Sequence, residues 1–562
     1  MTDIAVQSAT MVFQQLSVDA ESTVAYESAG NLLIIADSQQ VEQLLPQLSE
    51  SLHPAILFTD QCRPKLAAAL QKAEIPYLNQ VKNIQIQGFM GQFHVTADYQ
   101  FDDNLQSSHQ NQDVQDNYNE NESGEGQFLL NHQLAEVVFD LVMDLQRLPA
   151  IKAVLPPPGY FAITDNTEQL DQVLESLPDW IGVFDKPKYY DYLADRCAHS
   201  ANSITGCTQC IDRCPTQAIQ SNSGQIEVDP YLCQGCGDCA TTCPSGAMVY
   251  RYPSVVQMHD QLRKGLDAYY QAGGIKPVLL FYNQDNALDW LEANTHTLPA
   301  GTIPFAVESI AAYGLDTWLA ALAYGASSII LLSTDEDLAV SMGLLDQQIA
   351  ILDALLQGLG ITDCPLQRCT IELLPDITLT YTQLGRRATF SGVEDKRRLI
   401  RLAVDFLQEN NSDQSAVQAL PKNALFGEVV VNGEQCTLCM SCVSICPQGA
   451  LLSSDGLPQL KFMETNCVQC GLCENACPES VISLNPRYVY DNELNRTPRL
   501  LHEDEVIACV QCGKPFIGAQ MLASMFDKMA NHPMYQGSQR SLLQMCGDCR
   551  VIALHDQQTK NH

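Results

Sequence analysis

Two blocks of this 562-residue sequence place cysteines where soft thiolate ligands could hold iron. In the later block, Cys436, Cys439, Cys442 and Cys446 stand at C-x2-C-x2-C-x3-C, with Pro447 behind them. Cys467, Cys470, Cys473 and Cys477 repeat the spacing, with Pro478 following. This is the run that binds [4Fe-4S] cubanes in pairs. Three close thiolates wrap three corners of one cubane. The fourth, where proline turns the chain away, reaches the other. The expected ligand sets therefore cross over: Cys436, Cys439, Cys442 with Cys477, and Cys467, Cys470, Cys473 with Cys446. Ala450 and Val481 stand at one common offset, as small residues should where a helix lies close to a cubane.

The earlier block has the same design with one ligand missing. Cys233, Cys236, Cys239 and Cys243-Pro244 form a full run, whereas the upstream run keeps Cys207, Cys210 and Cys214-Pro215 but has Ile204 at its first position. Cys233, Cys236, Cys239 and Cys214 make one complete set. Cys207, Cys210 and Cys243 need a fourth ligand. Cys197 is the expected one, carried back by the polar loop Ser200 to Gly206, because thiolate is the usual ligand of such clusters. The alternatives are His199, or a vacancy and a three-iron centre.

Near the C-terminus, Cys509-x2-Cys512 and Cys546-x2-Cys549 lack the third cysteine and the Cys-Pro of a cubane run. Two such knuckles suit one tetrahedral zinc, with a fifth cluster as the alternative. Cys62, Cys364 and Cys369 remain outside any set. No P-loop, dinucleotide fingerprint, Gly-x-Ser-x-Gly or His-Glu-x-x-His occurs. No catalytic residue is assigned, and an electron carrier is expected rather than an enzyme with its own catalytic site.

The elements that must position these thiolates alternate with the blocks. Residues 1–190 read as an α/β domain. Asn31 to Ala36 and Ala55 to Phe58 are buried strands, Val41 to Leu52 and His132 to Leu145 are helices, and Pro156-Pro157-Pro158-Gly159 is a turn. Residues 98–126 are acidic and poor in aliphatic side chains and are expected to form a disordered insertion. The first cysteine block spans 191–255. A second α/β domain spans 276–425, with strands at Val278 to Phe281, Ile303 to Val307 and Ile329 to Leu332. Its helices run over Leu288 to Asn294, Thr317 to Tyr324 and Leu338 to Leu359. The later block spans 428–487 and the zinc-binding region 505–552. The fold class is α/β plus α+β: two α/β domains, two copies of one small cluster-binding module, and a zinc-ribbon-like end.

Composition limits the function. The hydrophobic share of 46% supports sizeable cores, and 66 acidic against 31 basic residues give a formal charge of −35. Such a chain repels nucleic acid and anionic membranes, so a basic redox partner, or one with a basic docking patch, is expected. The 23 cysteines, mostly in tight pairs, fit metal ligation in a reducing compartment. With no signal sequence at Met1-Thr2-Asp3-Ile4 and no membrane span, the expected location is the cytoplasm.

The two cysteine blocks resemble bacterial-type 2x[4Fe-4S] ferredoxins and polyferredoxins. The stretch Val307-Glu308-Ser309-Ile310 through Trp318 to Ala326 is similar to the small iron–sulfur delta subunit of methyl-viologen-reducing hydrogenases. That family has a cysteine near its first strand, where this chain reads Phe281-Tyr282-Asn283-Gln284-Asp285. The overall order resembles large ferredoxin-like proteins encoded beside bacterial formate dehydrogenases. These resemblances imply low-potential electron transfer through four [4Fe-4S] clusters, to or from a dehydrogenase or hydrogenase. The alternative is an assembly or regulatory factor whose clusters are structural or sensing.

Overall fold

The computed structural model describes residues 2–14, 22–98, 127–129, 138–164, 167–382, 385–409, 415–454, 456–532 and 535–560. The expected insertion at 98–126 lies outside the described residues apart from Asp98, which ends a strand.

The first α/β domain is a five-stranded, all-parallel sheet ordered Tyr77–Leu78, His53–Phe58, Asn31–Ala36, Leu141–Asp144, Tyr160–Ala162. Asn31–Ala36 is central and buried on both faces, which is why its sequence shows a continuous apolar run. The helix after it runs only over Ser38–Leu44. It starts on an Asp37/Gln40 capping box, and Pro46 sits in the 3-10 turn Leu45–Gln47 that ends it. The helix expected over His132 to Leu145 is corrected. Residues 130–137 lie outside the described residues, and Leu141–Asp144 is a strand paired with Leu32 to Ile35. All four of its residues are buried, so it has no polar face to offer as a surface helix. The buried Asp144 accepts hydrogen bonds from the Tyr160 hydroxyl and the Gln146 and Ala150 amides, which fixes the loop after the strand.

The middle domain has a four-stranded parallel sheet ordered Thr302–Val307, Val278–Asn283, Ser328–Ser333, Leu366–Thr370. Helices Gln284–Ala293, Leu315–Ala323 and Ala339–Gly358 alternate with its strands close to the expected positions. Ala339–Gly358 is long and apolar enough to cross a bilayer, but Leu345, Leu352, Leu355 and Leu356 bury it in the core. Two elements widen this domain. Lys396–Glu409 packs on Leu315–Ala323. Thr2–Phe13 packs on Val255–Gln271, away from the first α/β domain with which residues 1–190 were grouped. Ala5, Ala9 and Phe13 form the i, i+4, i+8 stripe that docks this helix, with the Phe13 ring edge-on to Phe305 at 4.5 Å.

The two cysteine blocks share a layout. The first pairs Tyr190–Tyr192 with Met248–Tyr250 and Ile219–Asn222 with Gln225–Val228. The second pairs Gly427–Val431 with Ile482–Val489 and Leu451–Ser454 with Leu457–Phe462. In each, short helices follow the cysteine loops: Gln209–Arg213 and Asp238–Thr242, then Ser441–Ile445 and Leu472–Asn475. Ala450 and Val481 lead into strands rather than helices. The tail is a hairpin, Val506–Ala508 with Pro515–Gly518, followed by Ala519–Lys528 and Gly547–Lys560.

Candidate iron–sulfur sites

Three of the four cysteine loops share an unusual backbone. Leu438 and Met440 (φ 52° and 61°), Gln469 and Gly471 (53° and 81°), and Gly235 and Gly237 (77° and 83°) are left-handed at matching positions. Left-handed backbone at a residue with a side chain costs about 1–2 kcal/mol. Alternating hands turn successive N–H groups inward and form a concave anion-binding nest. The fourth loop, the one with Ile204, lacks this pattern: Thr208 has φ −117°.

The thiols gather across the runs. Cys436, Cys439, Cys442 and Cys477 line one small cavity, together with Leu438, Met440 and Glu479. Burial pushes Cys442 up to about 12, and Cys439, Cys436 and Cys477 add to it. Burial likewise raises Cys470 to about 11, with Cys467 and Cys446 as its neighbouring charges. In the first block Cys214 acts on Cys233, Cys236 and Cys239, while Cys243 acts on Cys207 and Cys210. Burial lifts Cys207 and Cys210 to about 12, so releasing their protons requires a bound cation. Ala247 and Ala450 donate N–H to the sulfurs of Cys243 and Cys446 at 3.2 and 3.3 Å.

A local device brings Cys197 near the incomplete set. Ser200–Ala201 pairs with Ile204–Thr205 in a tight hairpin, with Asn202 and Ser203 left-handed at its turn. The hairpin reverses the chain, so the Cys207 amide bonds the Ala198 carbonyl at 3.1 Å. Cys197 then adds its charge to both Cys207 and Cys210. His199 has both ring nitrogens engaged, Nδ1 with the Cys207 carbonyl oxygen (2.9 Å) and Nε2 with the Ser221 hydroxyl (2.7 Å). The loop could be read from the sequence, but the hairpin that makes Cys197 a neighbour could not.

The two blocks meet at their loops. Cys470 is among the charges that raise Cys207. The Asn475 side chain donates to the Thr205 carbonyl (2.8 Å), and Gly206 lies so close to Leu472 that an added Cβ would stand 2.5 Å from its Cγ. At the far end of the first block, the loop of Cys236 seats on the middle domain. The Ser309 hydroxyl donates to the Cys236 carbonyl at 2.9 Å, and Thr241 donates to the Ala311 carbonyl at 2.6 Å.

In the tail, the sulfurs of Cys509, Cys512, Cys546 and Cys549 all lie within 4.8 Å of one another. Desolvation works to raise Cys509, but the N–H groups of Cys546, Cys512 and Gln511 outweigh it and bring the thiol down to about 6. Cys549, hydrogen-bonded to Cys512, is pushed up to about 12. A donor set of four convergent thiols suits a soft divalent metal. All 23 cysteines are free of disulfides. Cys364 packs on the large core and Cys369 on the opposite face of its sheet, so these two form no pair. Cys62 is buried among the helices and strands of the first α/β domain.

Comparison with known proteins agrees with this geometry. The profile of the 4Fe-4S dicluster domain matches residues 204–247 and again 435–482. The chain is thus an iron–sulfur protein with two ferredoxin-type dicluster domains. Pyruvate synthase subunit PorD of Thermotoga maritima is 33% identical over 64 residues, covering 11% of this chain and 64% of that one. An iron–sulfur protein of Rhodospirillum rubrum is 27% identical over 121 residues, 21% of this chain and 56% of that one. An uncharacterized ferredoxin of Methanocaldococcus jannaschii is 34% identical over 58 residues, 10% of this chain and 32% of that one. The chain therefore spans from a third to just under two thirds of these relatives.

Proposed function

We propose that this chain relays low-potential electrons through four [4Fe-4S] clusters in a row. Bound in the thiolate sets, each cubane would supply a one-electron carrier that needs little ligand rearrangement. The proposed order is Cys214/Cys233/Cys236/Cys239, then Cys197/Cys207/Cys210/Cys243, then Cys446/Cys467/Cys470/Cys473, then Cys436/Cys439/Cys442/Cys477. The observation that carries the reading is the contact between the Cys207 and Cys470 loops, Asn475 to Thr205 and Leu472 against Gly206, which brings two separate pairs into one path. The backbone nests and the N–H groups aimed at sulfur hold the thiolates and stabilise their negative charge. The tail cysteines hold one structural zinc.

The donor or acceptor is a redox enzyme, such as a formate dehydrogenase or another dehydrogenase or hydrogenase. The likeness to a pyruvate synthase subunit supports a partner of that kind. The free thiols support a reducing compartment, the cytoplasm. The excess of acidic side chains favours a basic docking patch on the partner, and four cubanes add about −8 more.

The test is anaerobic metal analysis followed by reduction with a low-potential one-electron donor. About 16 Fe and about one Zn per chain are expected, with all the iron centres reducible. Iron near half that amount, or centres that stay oxidised, would sink the relay and leave a structural or sensing role.

A further inference from the structure

Two adjacent cations are enclosed between the dicluster domains of this very acidic chain. Lys396 is 8% exposed, and its Nζ donates to the carbonyl oxygens of Ala240 (2.9 Å), Thr241 (2.6 Å) and Cys243 (3.3 Å). Arg397 is 7% exposed and donates to the carbonyls of Pro244 (3.3 Å), Thr465 (3.4 Å), Cys467 (2.8 Å) and Leu425. Its guanidinium also lies over the Phe426 ring, 4.4 Å from the centroid. Among the described residues, no salt bridge joins either side chain to a carboxylate.

A buried cation without an anion is costly, and carbonyl dipoles offset only part of that cost. The carbonyls used here belong to two particular segments. Ala240 and Thr241 follow Cys239 of an outer thiolate set and Cys243 lies in an inner one, so Lys396 stands between the two sets of the first dicluster domain, whereas Arg397 bridges Pro244, beside Cys243, and Cys467 of the other inner set. Each outer set has a carboxylate nearby. Asp238, fully buried and bonded to the Ser341 hydroxyl at 2.8 Å, adds negative charge beside Cys236. Glu479, ion-paired with the exposed Lys528 at 2.9 Å, lines the cavity of Cys436, Cys439, Cys442 and Cys477. Lys186, which reaches the Cys233 carbonyl at 2.6 Å, is single and only half-buried.

We propose that Arg397, seated between the two inner [4Fe-4S] centres, is their shared positive counter-charge and makes them easier to reduce than the two outer ones, with Lys396 adding to the field inside the first dicluster domain. The inference rests on the four-cluster relay. Positive charge favours the more negative, reduced state, and it offsets the repulsion between two anionic centres facing each other across the domain seam. Reduction takes one electron per centre from a low-potential donor, which is oxidised by one; no bond forms or breaks. Electrons arriving from either end would therefore collect at the seam. Lys396 and Arg397 act through the field at the ligands and are positioning residues.

The test is a potentiometric EPR titration of the full chain, loaded anaerobically. The outer centres are identified beforehand by Cys236→Ser and Cys439→Ser. In the unaltered chain, the inner two are expected to titrate at higher potential than the outer two. The reverse order would overturn the proposal without any change at the seam. Arg397→Met should lower both inner potentials by about tenfold in the reduced-to-oxidised ratio, about 59 mV for one electron. The outer potentials should stay fixed, and Arg397→Lys should keep those of the unaltered chain. Full iron with no shift, or an equal shift at all four centres, would refute the counter-charge role and leave the relay intact. An unaltered chain with iron far below about 16 would instead remove the relay itself.

Discussion

Replacing Cys197 with serine tests the least regular part of the site. Cys197 adds its charge to Cys207 and Cys210, whereas Ile204, at the usual ligand position, pairs with Ala201 in the hairpin. Cys197 packs with Cys210 and Cys243 in the small core of the first dicluster domain. The Tyr192 hydroxyl bonds the Cys197 sulfur, and serine can still accept that bond. The fold should therefore lose no more than about 1 kcal/mol. The metal centre should change outright, because three thiolates hold three irons firmly and the fourth only weakly. Iron should fall from about 16 to about 15 per chain on mild oxidation. One [3Fe-4S] EPR signal per chain should appear in the oxidised state, with the other three centres unchanged. Adding Ile204→Cys should not restore the fourth iron, since residue 204 is committed to its pairing with Ala201 and its loop lacks the left-handed pattern of the other three. Two results would refute the reasoning: a three-iron signal already present in anaerobic unaltered protein and indifferent to Cys197→Ser, or full recovery of four-iron character by Ile204→Cys.

Cys512→Ser should remove the zinc and loosen the C-terminal helices while leaving the cubane EPR signals intact; loss of iron from a chain that never held zinc would mean a fifth cluster in the tail. Gly237→Ala should lower the Tm by several degrees and release iron first from the Cys214/Cys233/Cys236/Cys239 set. An added Cβ would stand 2.3 Å from Ala312, and the left-handed φ of 83° costs about 1–2 kcal/mol in addition. His259 is fully buried beside the Thr317 hydroxyl, and burial lowers its pKa to about 4. The unfolded chain, titrating near 6.5, binds more protons between these values. The contribution is therefore complete above pH 6.5 and is lost as the pH falls towards 4, by about 3 kcal/mol in all. His259→Gln should flatten that slope in anaerobic denaturant melts at pH 5 and 7.5, and an unchanged slope would exclude the histidine as its source.

The sequence by itself determined the chemistry of the thiolates. Ligand spacing in a cubane run is local, because three corners of one cubane must be reached within a single tight loop, so composition and offsets suffice. The same locality made the two dicluster domains legible as one module used twice, and it made Val278–Asn283 and Ser328–Ser333 legible as buried strands. Only the tertiary structure decided what depends on contacts between distant segments. Leu141–Asp144 is a strand because it fills the place between Asn31–Ala36 and Tyr160–Ala162 in the sheet, a demand that overrides its local pattern. Thr2–Phe13 docks on the middle domain because Phe13 has space over Gly265, more than 250 residues away in sequence. The meeting of the Cys207 and Cys470 loops, and the enclosure of Arg397 between the two domains, follow from how finished domains pack. No spacing along the chain encodes that packing, because the surfaces that meet exist only after each domain has folded.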